Sequence, residues 1–210
     1  GNCALIEGPQ GLSMVDDGLS RRETLKRMAE LGLSADDVYA LVVTHEHSDH
    51  IKGLEVWCKH WNGPVFSSRG TLTSKESLAH LPVEEFDPGD ALSIAGVHIQ
   101  TYSTSHDVVN PVGYRFDAQG DSIGFATDTG ELSKPAIVTL KDCRILALQN
   151  NHDVTMLRQG DYPRFLQERI LSVKGHLSND QAADAARALV TDRTAQLIAM
   201  HISQDNNRPS

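Results

Sequence analysis

The sequence lacks paired cysteines, a long apolar run and an excess of positive charge, and each absence excludes a class of protein. Its three cysteines are scattered without paired spacing, which gives no disulfide framework. No apolar run approaches the roughly 18 residues that a membrane-spanning helix needs, and no basic, apolar leader opens the sequence. We therefore expect a cytoplasmic protein that does not bind a membrane.

Negative charge predominates, with 28 Asp and Glu against 19 Lys and Arg, for a net charge of −9. This balance argues against a protein that coats nucleic acid through bulk electrostatics. Residues 134–174 depart from it, because they hold only four acids against seven bases: Lys134, Lys141, Arg144, Arg158, Arg164, Arg169 and Lys174. The local excess is consistent with a groove for a phosphate backbone, and ordinary solvated charge is the alternative.

Strands and helices alternate along the 210 residues, which we predict to form one domain over residues 1–210 because no repeat or linker interrupts them. Amphipathic spacing predicts helices over residues 21–31, 51–60, 163–173 and 179–191. Apolar runs predict strands over residues 3–6, 12–15, 38–44, 65–67, 91–94, 97–102, 113–116, 122–126, 145–148 and 196–200. This order indicates an α/β or α+β fold with two sheets and helices packed outside them.

A dense group of metal-ligand residues follows the strand predicted over residues 38–44. The segment reads Thr-His-Glu-His-Ser-Asp-His, and it holds three of the ten histidines of the chain. His45 and His47 are two residues apart on an extended segment, so both can reach one ion, while Asp49 and His50 can bind a second. Nitrogen and oxygen donors of this kind suit Zn²⁺, with Mn²⁺ or Fe as alternatives.

This segment, followed by Ile-Lys-Gly-Leu, resembles the HxHxDH signature of the metallo-β-lactamase fold. The resemblance implies an αββα four-layer sandwich with a two-metal site at one edge. It also implies seven ligands: His45, His47 and His106 for the first metal, Asp49, His50 and His201 for the second, and Asp128 as the bridge.

His176 stands just before a helix that Ser178 and Gln181 can cap as a capping box. In the nuclease branches of this fold a histidine at such a place protonates the leaving oxygen, so the resemblance implies that role for His176. The alternative is that His176 only packs or caps.

The resemblance extends to the YycJ (WalJ) family, whose motifs recur in order at residues 1–3, 16–20, 105–107, 110–114, 151–153, 160–163, 175–179 and 201–207. It implies a 5′→3′ exonuclease that acts on double-stranded DNA. The family runs longer at both ends, with a strand before Gly1 and a further segment after Pro209, so we expect the domain to be incomplete at both ends. Gln149 departs from the family, which has Glu there, and His152 either faces the scissile phosphate or hydrogen-bonds within its loop.

The mechanism that these resemblances imply is an in-line attack on a phosphodiester. A hydroxide shared by two metals would attack phosphorus, and His176 would protonate the leaving group. Asp128 would bridge the metals and orient the hydroxide, and Asp49 would bind the second metal. A small-ester hydrolase (lactonase, thioesterase or β-lactamase) and RNA processing of the ribonuclease Z kind are alternatives. A third is a non-hydrolytic member, either a flavo-diiron redox protein or an inactive binding module. The expected partner is nucleic acid, with DNA favoured over RNA.

Overall fold

A computed structural model describes residues 1–208, so Pro209 and the segment expected after it lie outside the described residues. The strands of this part of the chain are β1 (Ala4–Gly8), β2 (Gly11–Val15), β3 (Val38–Val43), β4 (Val65–Ser68), β5 (Val83–Phe86), β6 (Ala91–Ile94), β7 (Val97–Ser103), β8 (Val112–Ala118), β9 (Asp121–Ala126), β10 (Ile145–Gln149) and β11 (Gln196–Met200). The helices are α1 (Arg21–Glu30), α2 (Ser48–Ile51), α3 (Leu54–Cys58), α4 (Lys134–Leu140), α5 (Val154–Gln159), α6 (Arg164–Leu171) and α7 (Asn179–Leu189).

The strands form two sheets that both mix parallel and antiparallel pairs. The first sheet has the order β1-β2-β3-β4-β5, in which only the β1–β2 pair is antiparallel. The second has the order β11-β10-β9-β8-β7-β6, with β9, β10 and β11 parallel and the β8–β9 pair antiparallel. Two mixed sheets accompanied by helices confirm the predicted α/β class.

The chain divides into two compact units. The first unit comprises Gly1–Ile99 and Val108–Val112, and the second comprises Gln100–Asp107 and Gly113–Ser210. The single domain over residues 1–210 remains a prediction.

The first unit is built around the apolar residues of its parallel strands. Leu41 of β3 and Met14 of β2 are fully buried in one cluster with Leu54 and Trp57 of α3. Strand β5, which the sequence analysis missed, adds the last parallel strand. Two consecutive glutamates, Glu84 and Glu85, interrupt its apolar pattern and hide the strand from sequence reasoning.

The helix predicted over residues 51–60 is wrong, because the structure has two short helices there, α2 and α3. At the junction of α2 and α3, two backbone groups that would bond to each other in a continuous helix bond to distant residues instead. Asp49 O accepts the Asn2 N–H at 2.7 Å, and the Gly53 N–H donates to Asp17 O at 2.7 Å. A Cβ at position 53 would clash with the Asp17 carboxylate. Contacts with distant segments therefore replace the local helical bond.

The second unit packs its helices on strands β9 and β10. Leu140 of α4, Leu146 of β10 and Leu189 of α7 are fully buried in one cluster, to which Tyr102 adds a hydroxyl that donates to Phe125 O at 2.8 Å. Helices α4 and α5 are not among the predicted elements. The sequence marks the start of each of these helices by a capping residue. The Ser133 side chain accepts the Ala136 N–H of α4, and the Asp153 side chain accepts the Met156 N–H of α5.

Parallel strands place several polar side chains at common sheet edges. Asp16 follows β2 and His45 follows β3 nearby, at the same edge of the first sheet. In the second sheet Asp128, His152 and His201 follow β9, β10 and β11, whose carboxyl ends also meet at one edge. The carboxyl ends of parallel strands are the usual place for ligand sites in α/β folds.

No helix within residues 1–208 combines the length and the apolar character that crossing a bilayer requires.

We expect the Asp17 carboxyl to make the free energy of unfolding depend on pH. Its side chain is buried, accepts a 2.9 Å hydrogen bond from Thr24 Oγ1 at Oδ1, and leaves Oδ2 without a partner among the described residues. Burial raises the pKa of Asp17 from 3.8 to about 6. Because the folded pKa lies above the unfolded one, stability present below about pH 4 falls as pH rises to 6, by on the order of 3 kcal/mol.

Replacement of Asp17 by Asn keeps the acceptor for Thr24 and removes the buried charge. Thermal unfolding of Asp17→Asn at pH 8 and pH 4 measures the effect, with exposed Asp36→Asn as the control. The Asp17→Asn protein gains melting temperature over wild type at pH 8 and gains little at pH 4. An equal gain at both pH values would contradict the assignment.

Candidate metal centre

The histidine-rich turn of the first unit gathers imidazoles at the carboxyl end of β3. His45 and His50 are buried, His47 is half-buried and Asp49 is exposed. His45 Nε2 lies 3.1 Å from His47 Nδ1, and the His45 and His50 rings are 4.1 Å apart between centroids. His50 Nε2 lies 3.6 Å from Asp49 Oδ2, so each of the four predicted ligands in this turn lies within about 4 Å of another.

Asp16 fixes the orientation of His50. Its Oδ2 accepts hydrogen bonds from His50 Nδ1 at 2.7 Å and from Thr44 Oγ1 at 2.8 Å, and its Oδ1 accepts the Thr44 N–H at 2.8 Å. A proton on Nδ1 leaves the lone pair of His50 on Nε2, the atom that would bind a cation. Sequence reasoning assigned Asp16 no role, although it lies in the motif at residues 16–20.

Asn2 is a second residue that sequence reasoning missed. Its Nδ2 lies 2.9 Å from Asp49 Oδ2 and 2.9 Å from His50 Nε2, while its backbone exchanges hydrogen bonds with Asp49 and Gly18. The amide thus holds together Asp49 and His50, two of the three side chains that the sequence assigns to the second metal. The motif at residues 1–3 was its only signal in the sequence.

In the second unit three imidazoles surround the carboxylate of Asp128, which is 2% exposed. Asp128 Oδ1 lies 3.4 Å from His201 Nε2, 3.5 Å from His176 Nδ1 and 3.8 Å from His106 Nε2. Asp128 Oδ2 accepts a 2.6 Å hydrogen bond from Thr127 Oγ1. The three nitrogens lie farther from Oδ1 than ordinary hydrogen-bond partners do, an arrangement that leaves room for a shared cation.

The donor set of this unit fits a divalent metal. His106, Asp128 and His176 each offer one ligand atom, and these atoms lie within 4.8 Å of one another. Imidazole nitrogens with a carboxylate oxygen are ligands that Zn²⁺, Mn²⁺ and Fe share. The structure therefore brings His176, predicted as a proton donor, as close to Asp128 as the predicted ligands His106 and His201.

His106 is oriented by the loop that carries His176. Its Nδ1 donates to the carbonyls of Lys174 and Gly175, at 3.1 Å each, which directs Nε2 toward Asp128. Beside it, Asp107 forms a bidentate ion pair with Arg169 at 2.5 and 2.9 Å, and this hydrogen bonding lowers the pKa of Asp107 to about 2.

His176 is neutral at neutral pH in the protein without metal. Burial lowers the pKa of His176 to about 3 and outweighs the opposing effect of the Asp128 carboxylate. Its Nδ1 has no hydrogen-bond partner among the described residues. A buried imidazole with a bare nitrogen can bind a cation or exchange a proton.

Strand β10 ends in a network of amides that supports His201. Asn151 Nδ2 donates to His201 O at 2.9 Å and lies 3.2 Å from His201 Nδ1. His152 is 1% exposed, and its Nδ1 lies 3.3 Å from Asn151 Oδ1. Burial lowers the pKa of His152, and its Nε2 has no partner among residues 1–208.

Gln149 supports the loop of Asp128 without a charge. Its Oε1 accepts the Thr129 N–H at 2.9 Å, and Thr129 Oγ1 accepts the Ser105 N–H at 3.1 Å. An amide oxygen accepts this hydrogen bond as a carboxylate oxygen would, so the departure from Glu at position 149 keeps the contact that positions the loop.

Comparisons with known proteins match this chain to one superfamily. Residues 14–202 match the model of the beta-lactamase superfamily domain. The chain is 35% identical to the exodeoxyribonuclease YycJ of Bacillus anthracis over 211 residues, which cover 99% of this chain and 80% of that protein. It is 29% identical to a ribonuclease Z of Mycobacterium bovis over 61% of this chain and 56% of that protein.

Solved structures show the same fold at low sequence identity. Zn²⁺-bound PqqB from Methylobacterium extorquens superposes with a TM-score of 0.75 at 13% identity, covering 96% of this chain and 76% of that one. The metallo-beta-lactamase fold protein YhfI from Bacillus subtilis gives 0.72 at 16% identity, covering 97% and 78%. The predicted metallo-β-lactamase fold is confirmed.

We expect Asp16→Asn to weaken the binding of Zn²⁺ about 10- to 100-fold, because partners that orient a ligand typically contribute this much. An amide cannot accept all three hydrogen bonds that the carboxylate receives from Thr44 and His50. Competition with a chromophoric zinc chelator measures the affinity, and Asp36→Asn serves as the control. Unchanged affinity in Asp16→Asn would show that Asp16 does not orient a ligand.

Proposed function

The chain belongs to the beta-lactamase superfamily and, within it, to the family of the exodeoxyribonucleases YycJ and WalJ, and on this premise we propose that it is a metal-dependent DNA exonuclease. Its relatives are hydrolases, and a phosphodiesterase fits its site. The observation that carries the proposal is the buried Asp128 carboxylate with three imidazoles around it, in a chain that matches an exodeoxyribonuclease along 99% of its length.

The proposal assigns two divalent ions, with Zn²⁺ favoured and Mn²⁺ or Fe as alternatives. Seven residues would hold them: His45, His47, Asp49 and His50 from the first unit, and His106, Asp128 and His201 from the second. When bound, the ions would supply Lewis acidity for the phosphoryl oxygens and make a water molecule more acidic. In the first unit Asp16 and Asn2 would orient the ligands. In the second unit the carbonyls of Lys174 and Gly175 would orient His106, and Asn151 would orient His201.

His176 is proposed to give the proton to the leaving oxygen of the phosphodiester. Burial keeps the ring neutral in the protein alone. The negative charge of a phosphodiester beside it would favour the protonated ring and raise its pKa. His152 enters the proposal through its buried ring, whose Nδ1 donates to Asn151 Oδ1 at 3.3 Å, so that the Nε2 of the neutral ring can accept a hydrogen bond beside the site.

The substrate class follows from the family and from the local charge. Of the seven basic residues between positions 134 and 174, Arg144 and Arg169 are engaged in close ion pairs with Asp121 and Asp107. The other five are the basic residues that we propose to contact a phosphate backbone: Lys134, Lys141, Arg158, Arg164 and Lys174. The three cysteines are free, as suits a protein of the cytoplasm, where we place this activity.

A second candidate is the processing of RNA, which the match to ribonuclease Z favours. The match covers 61% of this chain, against 99% for the exodeoxyribonuclease, so DNA is the preferred substrate.

Digestion of end-labelled substrates with added Zn²⁺ or Mn²⁺ tests the function. Duplex DNA, single-stranded DNA, precursor tRNA and the β-lactam nitrocefin are compared in parallel. We expect duplex DNA to be shortened from its 5′ ends and nitrocefin to remain intact. Turnover of nitrocefin alone would refute the nuclease assignment, and preferential cleavage of precursor tRNA would favour the second candidate.

Two variants separate metal binding from proton transfer. Asp128→Ala is expected to lose both bound metal and activity. His176→Ala is expected to keep its metal content and to lose activity by about 10²- to 10⁴-fold, the usual contribution of a general acid. Metal content is measured by elemental analysis after dialysis, with exposed His98→Ala as the control. Loss of metal from His176→Ala would make this residue a ligand instead.

A further inference from the structure

A surface groove of the second unit runs along α6 and past the carboxyl end of α5. Its volume is about 520 Å³. The residues that line it are Arg158, Tyr162, Arg164, Gln167, Glu168 and Leu171. None of them belongs to the predicted metal site.

The loop that closes the groove between the two helices is held by specific hydrogen bonds. Tyr162 donates its hydroxyl to Asp205 Oδ2 at 2.8 Å, and Gln167 Nε2 donates to Tyr162 O at 2.9 Å. The walls are therefore ordered by side-chain contacts, and the Tyr162 ring has a fixed place on one of them.

The chemistry of the groove suits a nucleic-acid strand. Arg158 and Arg164 are exposed, and the one acid on the walls, Glu168, lies 4.0 Å from the Arg164 guanidinium as an exposed pair of little strength. Phe165, which follows Arg164 in the sequence and lies outside the lining of the groove, has a side chain that is 74% exposed. Guanidinium groups that meet phosphates, beside aromatic rings on which bases stack, are the usual elements of single-strand binding.

Both helices connect the groove directly to the site. Helix α5 begins two residues after His152, and α6 ends where Ile170 O accepts the His176 N–H at 3.0 Å. Arg164 and Ile170 are six positions apart, or about 9 Å along a helix axis.

We propose that this groove binds the sugar-phosphate backbone of the substrate strand where the strand continues beyond the bond that is cut. Arg158 and Arg164 contact phosphates, and Phe165 offers its ring to an unstacked base. The proposal rests on the proposed function, which it deepens by naming where the strand continues beyond the metal site.

The double variant Arg158→Ala/Arg164→Ala tests the groove. Steady-state cleavage of a 20-nucleotide DNA is compared with cleavage of bis(p-nitrophenyl) phosphate, which is too small to reach the groove. We expect the KM for the oligonucleotide to rise about 10-fold or more, with kcat and the small-substrate reaction unchanged. Fluorescence anisotropy with EDTA is expected to show a matching loss of affinity, with the slope of log Kd against log salt reduced by about one to two.

Arg193→Ala is the matched control. Arg193 is an exposed arginine of the same unit, but it precedes β11 and contacts Gly120 O before β9, at the opposite edge of the second sheet from Asp128 and His201. It should behave as wild type in every assay. Phe165→Ala should weaken binding about 5-fold or more, the loss typical of one stacked base.

The outcomes separate this inference from the proposed function. If wild type and Arg158→Ala/Arg164→Ala cleave DNA with the same KM, the groove does not bind the substrate, and the proposed function still stands. A wild-type protein that cleaves neither substrate but binds the oligonucleotide through Arg158 and Arg164 refutes the nuclease and supports the groove. If wild type, the double variant and Arg193→Ala bind the oligonucleotide with equal affinity, the proposal for the groove is wrong, whatever their activity.

Discussion

The buried carboxylate of Asp128 is the constraint on which the second unit depends. A carboxylate that is 2% exposed loses most of its hydration, and such a group is costly unless hydrogen bonds or a cation compensate it. Thr127 supplies one hydrogen bond, and three imidazoles supply nitrogens at 3.4 to 3.8 Å. Much of the surrounding structure keeps those imidazoles in place: the Gly175 loop holds His106, and Asn151 holds His201.

The backbone is strained at three residues of the candidate metal centre. Asp16, Asp128 and His201 have φ values of 61°, 47° and 51°, in the left-handed region that residues with a Cβ rarely adopt. Each follows the carboxyl end of a strand, where a left-handed residue turns the side chain off the line of the strand. The surrounding hydrogen bonds maintain conformations that would be unfavourable in isolation, as is common at functional sites.

Much of the fold and the site could be predicted from local sequence patterns. Strand β11 was predicted with its observed bounds, and α7 was found through the capping box of Ser178 and Gln181. Helices α2 and α3 were predicted as one, because the hydrogen bonds from Asn2 and to Asp17 that interrupt it come from distant segments. Helices α4 and α5 were missed because they are short and begin at single capping residues. The roles of Asp16 and Asn2 could not be predicted, since their contacts with His50 and Asp49 join residues more than 30 positions apart.

The sequence by itself determined the chemistry that is available: the histidines and aspartates after β3, β9 and β11, the capped helix behind His176, and membership of a nuclease family through motifs along the whole chain. Tertiary structure decided what each group can do. Burial of His176 lowers its pKa, the hydrogen bond from His50 to Asp16 directs the His50 lone pair, and close ion pairs engage Arg144 and Arg169 among the seven basic residues. Desolvation, tautomer and pairing depend on neighbours that packing brings together, and no local pattern of residues records them.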